Sequence, residues 1–285
     1  MSISESFRSG FSTERTSLGK NKLTMSLEIS FAALFDNAVR YARRTGFILA
    51  PSVFGDTPVM RARFNDAVFI SQERGFLFSS NEKVANSTMR ATFQALEGGG
   101  ALPRFYKPFK RWTGPLRQPS DIDDIASVLA DPSIYKFCVT RHPYARLVSC
   151  YRNKFERAAR GRGFPKMMRQ LGFDPARDEI TFGKFIAAIA RQDQRQMNPH
   201  WRPQYYNVFM DHIAYDEVIS YEGFAARASA LIEKFYPEMA GNSLVSANRQ
   251  TTNSDQLVGQ YFDEELKARA QEIYAIDFER FGYER

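Results

Sequence analysis

Between Tyr135 and Phe155 the spacing of apolar residues changes from alternate positions to every third or fourth. Tyr135, Phe137 and Val139 alternate with Lys136 and Cys138, which predicts a strand ending near Thr140. Pro143 then stands where a first helical residue would, its φ already set for a helix. Tyr144, Leu147, Val148, Tyr151 and Phe155 recur at helical spacing, while His142, Ala145, Arg146, Ser149 and Asn153 fall on a second face expected to look outward at a ligand.

A second strand, loop and helix precede it. Val68 to Ile70 and Phe76 to Phe78 read as short strands, and Ser79 to Asn86 as a polar loop. Ser87 or Thr88 is expected to cap a helix whose Met89, Phe93 and Leu96 face inward, with Gly98, Gly99 and Gly100 ending it. Gly114 to Ser120 is a connector. Downstream, Thr181 to Arg191 reads as an amphipathic helix, Glu217 to Ser220 as a strand, and Leu231, Ile232, Phe235 and Tyr236 as a helix stopped by Pro237. Tyr261 to Tyr274 reads as the last helix, after which Phe278, Phe281 and Tyr283 dock back on the core. Upstream, residues 1–25 form a polar tail and 26–62 a helical extension, leaving 63–285 as the main domain. Leu27, Phe31, Leu34 and Phe35 give the extension one apolar stripe. Arg40, Arg43 and Arg44 suit its C-terminal dipole better than a peripheral membrane contact.

The 285 residues carry ordinary apolar and charged fractions and a net charge of +7, which points to anionic partners without choosing among them. No apolar run approaches the roughly 20 residues that cross a bilayer, and the opening residues do not have the apolar middle of a signal peptide. The expectation is a soluble, cytoplasmic protein. Cys138 and Cys150 read as buried hydrophobes, and no metal-ligand spacing is evident.

The chemistry concentrates at the two strand-to-helix turns. A helix start offers unpaired N–H groups and the positive end of its dipole; Arg141 stands at one such start with Ser149 two turns in, and Lys83 projects from the loop before the other. At the carboxyl ends of an open α/β sheet these two cations are placed to grip opposite ends of one nucleotide. The GxxxxGK[ST] pattern of magnesium-dependent NTPases is missing, which weakens a kinase reading. The basic run Arg152, Lys154, Arg157, Arg160, Arg162, Lys166 and Arg169 reads first as a solvated face and second as a surface for an acidic polysaccharide or lipopolysaccharide. Nucleic acid ranks third, because no zinc-finger, RRM or helix-turn-helix signature accompanies the charge.

The pair Lys83–Thr88 (KVANST) and Thr140–Tyr151 (TRHPYARLVSCY) resembles the two nucleotide-binding motifs of sulfotransferases that use 3′-phosphoadenosine 5′-phosphosulfate, closest to the carbohydrate sulfotransferase family. Pro199–Gln204, Tyr215–Phe224 and Ile276–Tyr283 resemble further segments of that family in the same order, so the likeness runs from about Phe69 to the C-terminus. It implies a P-loop-like α/β fold with a central, mainly parallel sheet flanked by helices, and transfer of a sulfuryl group to a hydroxyl of a carbohydrate or glycolipid without a metal. It further implies that Lys83 contacts the 5′-phosphosulfate and the bridging oxygen, that the Val84, Ala85, Asn86, Ser87 and Thr88 segment supplies further donors, and that Arg141 and Ser149 hold the 3′-phosphate. The loop lacks the glycine and tryptophan of the cytosolic branch, and the membrane anchor of the animal Golgi members is missing, which suggests a bacterial-type soluble enzyme.

In the motif NPHWRPQYY, His200 is the candidate general base, with Glu222 the carboxylate alternative and His142 a phosphate-site or structural residue. Arg249, Thr251 and Thr252 lie in a polar loop expected to cover the nucleotide. The alternative functions are a metal-dependent nucleotide kinase and a basic protein that binds an anionic polymer without catalysis.

Overall fold

The computed structural model describes residues 58–100, 114–156, 163–241 and 254–285. The expected tail, most of the N-terminal extension, and Arg249 with its neighbours Thr251 and Thr252 lie outside them, as do Arg157, Arg160 and Arg162 of the basic run. Helix α1 (Pro58–Ala67) leads into β1 (Val68–Ser71) and β2 (Phe76–Ser79), followed by α2 (Asn86–Glu97), α3 (Ile125–Ala130) and β3 (Tyr135–Thr140). Helix α4 (Pro143–Tyr151) continues into a π-helical turn, Arg152–Glu156, and then come α5 (Phe164–Gln170), α6 (Phe182–Ile189), α7 (Gln204–Asn207), β4 (Glu217–Ser220) and α8 (Phe224–Phe235). Three helices close the chain: α9 (Val258–Tyr261), α10 (Glu264–Ile273) and α11 (Ala275–Phe281).

The sheet has the order β1-β2-β3-β4. β1 pairs antiparallel with β2, whereas β2 with β3 and β3 with β4 pair parallel, Phe78 opposite Phe137 and Val139 opposite Ile219. This is the mixed α/β architecture with a mostly parallel central sheet expected from the sequence. Alternation assigns the two faces. Phe69, Phe76, Phe78, Phe137 and Val139 pack with Met89, Phe93 and Leu96 of α2 and with Leu231, Ile232 and Phe235 of α8. Val68, Ile70 and Leu77 pack on the opposite face with Phe64, Ile125 and Phe209. A strand covered on both faces has no solvent side, so Lys136 is also buried, and its Nζ donates to the carbonyls of Asp131 and Ile134 at 2.6 and 2.9 Å.

Two helix ends differ from the sequence expectation. α2 starts at Asn86, with Ala85 in the left-handed region (φ 59°) as its N-cap, and not after a Ser87 or Thr88 cap. The segment after Tyr274 is a further helix, α11; it makes room for Asp277, buried to 0 % exposure, to accept from the backbone N–H groups of Gln204 and Tyr205 at 2.8 and 2.9 Å. Those two donors open α7, so a residue near the C-terminus caps the short helix of the NPHWRPQYY motif. Among the described residues no helix is long and apolar enough to cross a membrane.

Candidate active site

The three parallel strands β2, β3 and β4 end on the same edge of the sheet, and the loops leaving those ends carry Lys83, Arg141 and Tyr221. After β2 the chain turns through Ser80–Ala85, with Lys83 at φ 72° and Ala85 at φ 59°. Neither is glycine, and left-handed backbone at such residues costs about 1 kcal/mol each. The strained loop is anchored at both ends: Asn81 Nδ2 donates to the Val139 carbonyl at 3.1 Å, and Val84 is fully buried in the core. Val84 therefore offers a ligand only its backbone. Ala85 has no side-chain oxygen to cover the first-turn N–H groups of α2, the place where a helix receives an oxyanion. Asn86 begins this helix with Oδ1 buried and without a hydrogen-bond partner, while Ser87 and Thr88 are half-buried in the same turn.

Lys83 is half-buried in this cradle. Burial pushes its ammonium down to about 8; Cys150 and Glu82 oppose the fall, and Lys154 and Arg141 add like charge to it. A desolvated cation among other cations is one that an anion would relieve.

Arg141 is 3 % exposed. Its backbone N–H donates to Gln204 Oε1 at 2.9 Å and its carbonyl accepts from Gln204 Nε2 at 2.7 Å, so the Gln204 amide continues the β3 pairing pattern. The guanidinium lies over the Tyr221 ring at 4.2 Å and Nη1 donates to the Lys83 carbonyl at 3.4 Å. Nε donates to Asp255 Oδ1 at 3.2 Å, and Nη2 pairs with Asp255 Oδ2. A carboxylate thus sits on Arg141 as an oxyanion would. Asp255 closes the loop read from sequence as a cover, so its described end reaches this site.

The sequence placed Arg146 and Ser149 on an outward face of α4; in the structure every residue of that helix is buried. The face looks into the protein because the Ser80–Ala85 loop and the 199–202 segment lie against it. Arg146, 1 % exposed, donates from Nε to the Glu82 carbonyl at 3.0 Å, from Nη1 to the Arg202 carbonyl at 2.9 Å and from Nη2 to the Pro199 carbonyl at 2.9 Å. One guanidinium therefore spaces the residue before Lys83 and both sides of His200. Sequence spacing could not find this, because a helical arginine is far more often solvated than threefold bonded to carbonyls.

His200 is half-buried. Asn198 Oδ1 accepts its backbone N–H at 3.1 Å and faces its Nδ1 at 3.0 Å. A backbone N–H fixes which amide atom is oxygen, so Nδ1 carries the proton and Nε2 keeps its lone pair. Burial, with Lys154, Lys83 and Arg146 adding to it against Glu82, holds the imidazole down to about 4. It is neutral at physiological pH. Glu82 and Lys154 act on both Lys83 and His200, which puts the loop lysine, the histidine and the π-turn lysine in one electrostatic neighbourhood. π-turns within helices recur at functional sites.

The two rivals for the base do not share it. His142 caps α4, with Nδ1 accepting from the Tyr144 N–H at 3.3 Å and Nε2 meeting the Glu284 carbonyl at 3.0 Å, so both ring nitrogens are engaged in structure. Glu222 is exposed and bonds Ser220 and the His142 N–H, on the Arg141 side of the site. Among the described residues no group of three or more His, Cys, Asp or Glu is set to hold a metal ion.

The model of the sulfotransferase family matches residues 66–284. Human carbohydrate sulfotransferase 14 is 36 % identical over 178 residues, 58 % of this chain and 46 % of its own length. The zebrafish (Danio rerio) protein of that name is 29 % identical over 252 residues, 81 % of this chain and 66 % of its own. Mouse carbohydrate sulfotransferase 11 is 27 % identical over 171 residues, 53 % of this chain and 47 % of its own. The aligned parts thus span from about half to two thirds of these curated relatives. No solved structure matches the chain.

Proposed function

The chain belongs to the sulfotransferase family, and we propose that it moves a sulfuryl group from 3′-phosphoadenosine 5′-phosphosulfate to a hydroxyl of a carbohydrate acceptor. The observation that carries the donor is the joining of two anion grips, Lys83 and Arg141, through the Lys83 carbonyl at one sheet edge. The residues fit such a donor. Lys83 and the first turn of α2 suit the 5′ end, Asn86 Oδ1 is a buried acceptor in the same cradle, and Arg141, with Ser149 two turns along α4, suits the 3′-phosphate once Asp255 gives way. The carbohydrate acceptor is carried over from the names of the relatives. A cytoplasmic location is part of the same proposal.

The donor supplies an activated sulfuryl group. His200 Nε2 takes the proton of the acceptor hydroxyl as the new O–S bond forms, and Nδ1–H held on Asn198 keeps that lone pair aimed. The bond from sulfur to the phosphate oxygen breaks, leaving its electron pair on that oxygen. The Lys83 ammonium offsets the charge that gathers there. A base of about 4 is weak, but the cations Lys83, Lys154 and Arg146 are part of what holds it there. An anionic donor offsets their field and raises the basicity of His200 when it is needed.

The test is thermal stability against adenosine 3′,5′-bisphosphate, ADP, and ATP with and without magnesium, followed by transfer of labelled sulfate to an acceptor panel. A selective rise with the bisphosphate and label on a sugar are expected. A rise with magnesium ATP alone, or turnover with no donor, would overturn the reading.

A further inference from the structure

His200 stands on a segment between α6 and α7 that belongs to no strand, so the sheet that brings Lys83 and Arg141 together does not by itself fix their distance from it. The tie is a chain of three buried side-chain amides, Asn207, Asn81 and Gln204, which are 3 %, 1 % and 0 % exposed. Asn207 Nδ2 donates to the Pro199 carbonyl at 2.8 Å and to Asn81 Oδ1 at 3.1 Å. Asn81 Nδ2 donates to the Val139 carbonyl and to Gln204 Oε1, both at 3.1 Å, and Gln204 closes on the backbone of Arg141.

The polarity of each amide is set by a partner of one kind. Pro199 and Val139 offer carbonyl oxygens, so the Asn207 and Asn81 nitrogens face them; Arg202 Nε offers a donor at 2.7 Å, so Asn207 turns its oxygen there. Gln204 meets the Arg141 N–H with Oε1 and the Arg141 carbonyl with Nε2. Donation therefore runs one way, from Arg202 through Asn207, Asn81 and Gln204 to Arg141, and turning any one amide over breaks its bonds on both sides. Such a chain has a single arrangement, and its bonds reinforce one another away from water. It runs from the flank of His200 through the Lys83 loop to the end of β3.

We infer that Asn207, Asn81 and Gln204 are positioning residues for the transfer: the chain holds the His200 segment at a fixed separation from the two donor grips, with Asn207 the link on the base side. This rests on the sulfotransferase reading given above. The three act through Pro199, the Lys83 loop and the Arg141 backbone. Arg146 joins Glu82 to the 199–202 segment, and the amide chain adds the link from that segment to Arg141. A reacting group displaced by about 1 Å loses on the order of 10²-fold in rate, so cutting the chain at Asn207 should slow transfer while the grip on the nucleotide, held by Gln204, stays.

The experiment uses Asn207→Asp in the full chain. This variant keeps an oxygen for Arg202 Nε; beside that guanidinium its carboxylate stays ionised and donates nothing to the Pro199 carbonyl or Asn81 Oδ1. Calorimetry with adenosine 3′,5′-bisphosphate gives the affinity and counts the folded sites, and single-turnover transfer of labelled sulfate gives the rate per site. The expected result is a rate lowered about 10–100-fold, with bisphosphate affinity within about threefold of wild type. Loss of folded protein would lower the count of sites and not that rate. A second readout needs neither donor nor acceptor: in the ligand-free variant the backbone amides of 80–85 and 199–202 should both exchange with solvent about tenfold faster, while α8 and α10 keep their wild-type rates. If Asn207→Asp does not fold, Asn207→Leu, of similar volume and without a polar atom, is judged by the same two readouts. An unchanged rate per site, an affinity that falls in step with the rate, or faster exchange spread evenly over the chain would overturn the proposal. A wild type that neither binds the bisphosphate nor transfers label would sink the donor reading, and the exchange comparison would still decide whether the amides tie the two segments.

Discussion

Replacing Lys83 by Met should make the ligand-free protein more stable at neutral pH while removing its hold on the nucleotide. The ammonium is pushed from the usual 10.5 down to about 8, chiefly by burial. Each unit corresponds to 1.36 kcal/mol, so keeping the side chain charged in the empty cradle costs up to about 3 kcal/mol, with relaxation reducing this toward 1. Met keeps the apolar stem and drops the charge. For a domain of this size the gain is about 2–8 °C in Tm. The sign follows from which state binds the proton. Between pH 8 and 10.5 the unfolded chain holds a proton on Lys83 that the folded chain has released, so wild-type stability gains on the variant as pH rises. The advantage of Lys83→Met is therefore full below pH 8 and gone by about 10.5. Urea melts of both proteins at pH 7 and pH 10 measure it, and the bisphosphate-induced rise in Tm is read in parallel. A variant that is less stable at pH 7, or a difference that does not shrink with pH, would refute the account of Lys83 as a cation held at a cost for an anion.

Four further outcomes follow from the geometry. Arg146→Met strips the donors from three buried carbonyls and should lower stability by about 3 kcal/mol or more, with kcat falling more than nucleotide affinity because Glu82 and the segment around His200 lose their spacing; urea melts and single-turnover rates check this. The profile of kcat/KM against pH should be bell-shaped, with limbs near 4 from His200 and near 8 from Lys83, and both limbs should move upward in kcat, where the bound donor's charge acts on both groups; His200→Gln should lower kcat by roughly 10²–10⁴. Asp255→Asn should tighten bisphosphate binding by up to about fivefold, since an ion pair whose carboxylate is half-exposed is worth at most about 1 kcal/mol, and calorimetry at one ionic strength reads it.

The period change at Tyr135–Phe155 and the short continuous apolar runs Val68–Ile70 and Phe76–Phe78 were enough to place three of the four strands and the helices that follow β2 and β3, because apolar runs and helix periods are local properties of the chain. Lys83, Arg141 and Ser149 were legible for the same reason: each sits at a fixed offset from a strand-to-helix turn. His200 was legible only through its Pro-bracketed motif, and its tautomer and depressed basicity were not, since both depend on Asn198 and on cations brought from elsewhere in the chain.

What the tertiary structure decided is which way the polar residues turn. Arg146 shares a helical face with His142 and Ser149, and nothing in that spacing says whether the face meets solvent or the Ser80–Ala85 loop. The parallel pairing of β2 with β3 and of β3 with β4 settles it by bringing three loop ends to one edge, where the Glu82, Pro199 and Arg202 carbonyls converge on one guanidinium. Asp255 on Arg141 and Asp277 under α7 are likewise contacts between residues distant in sequence. Periodicity records the side of its own element on which a residue lies, and only packing supplies the partner on that side.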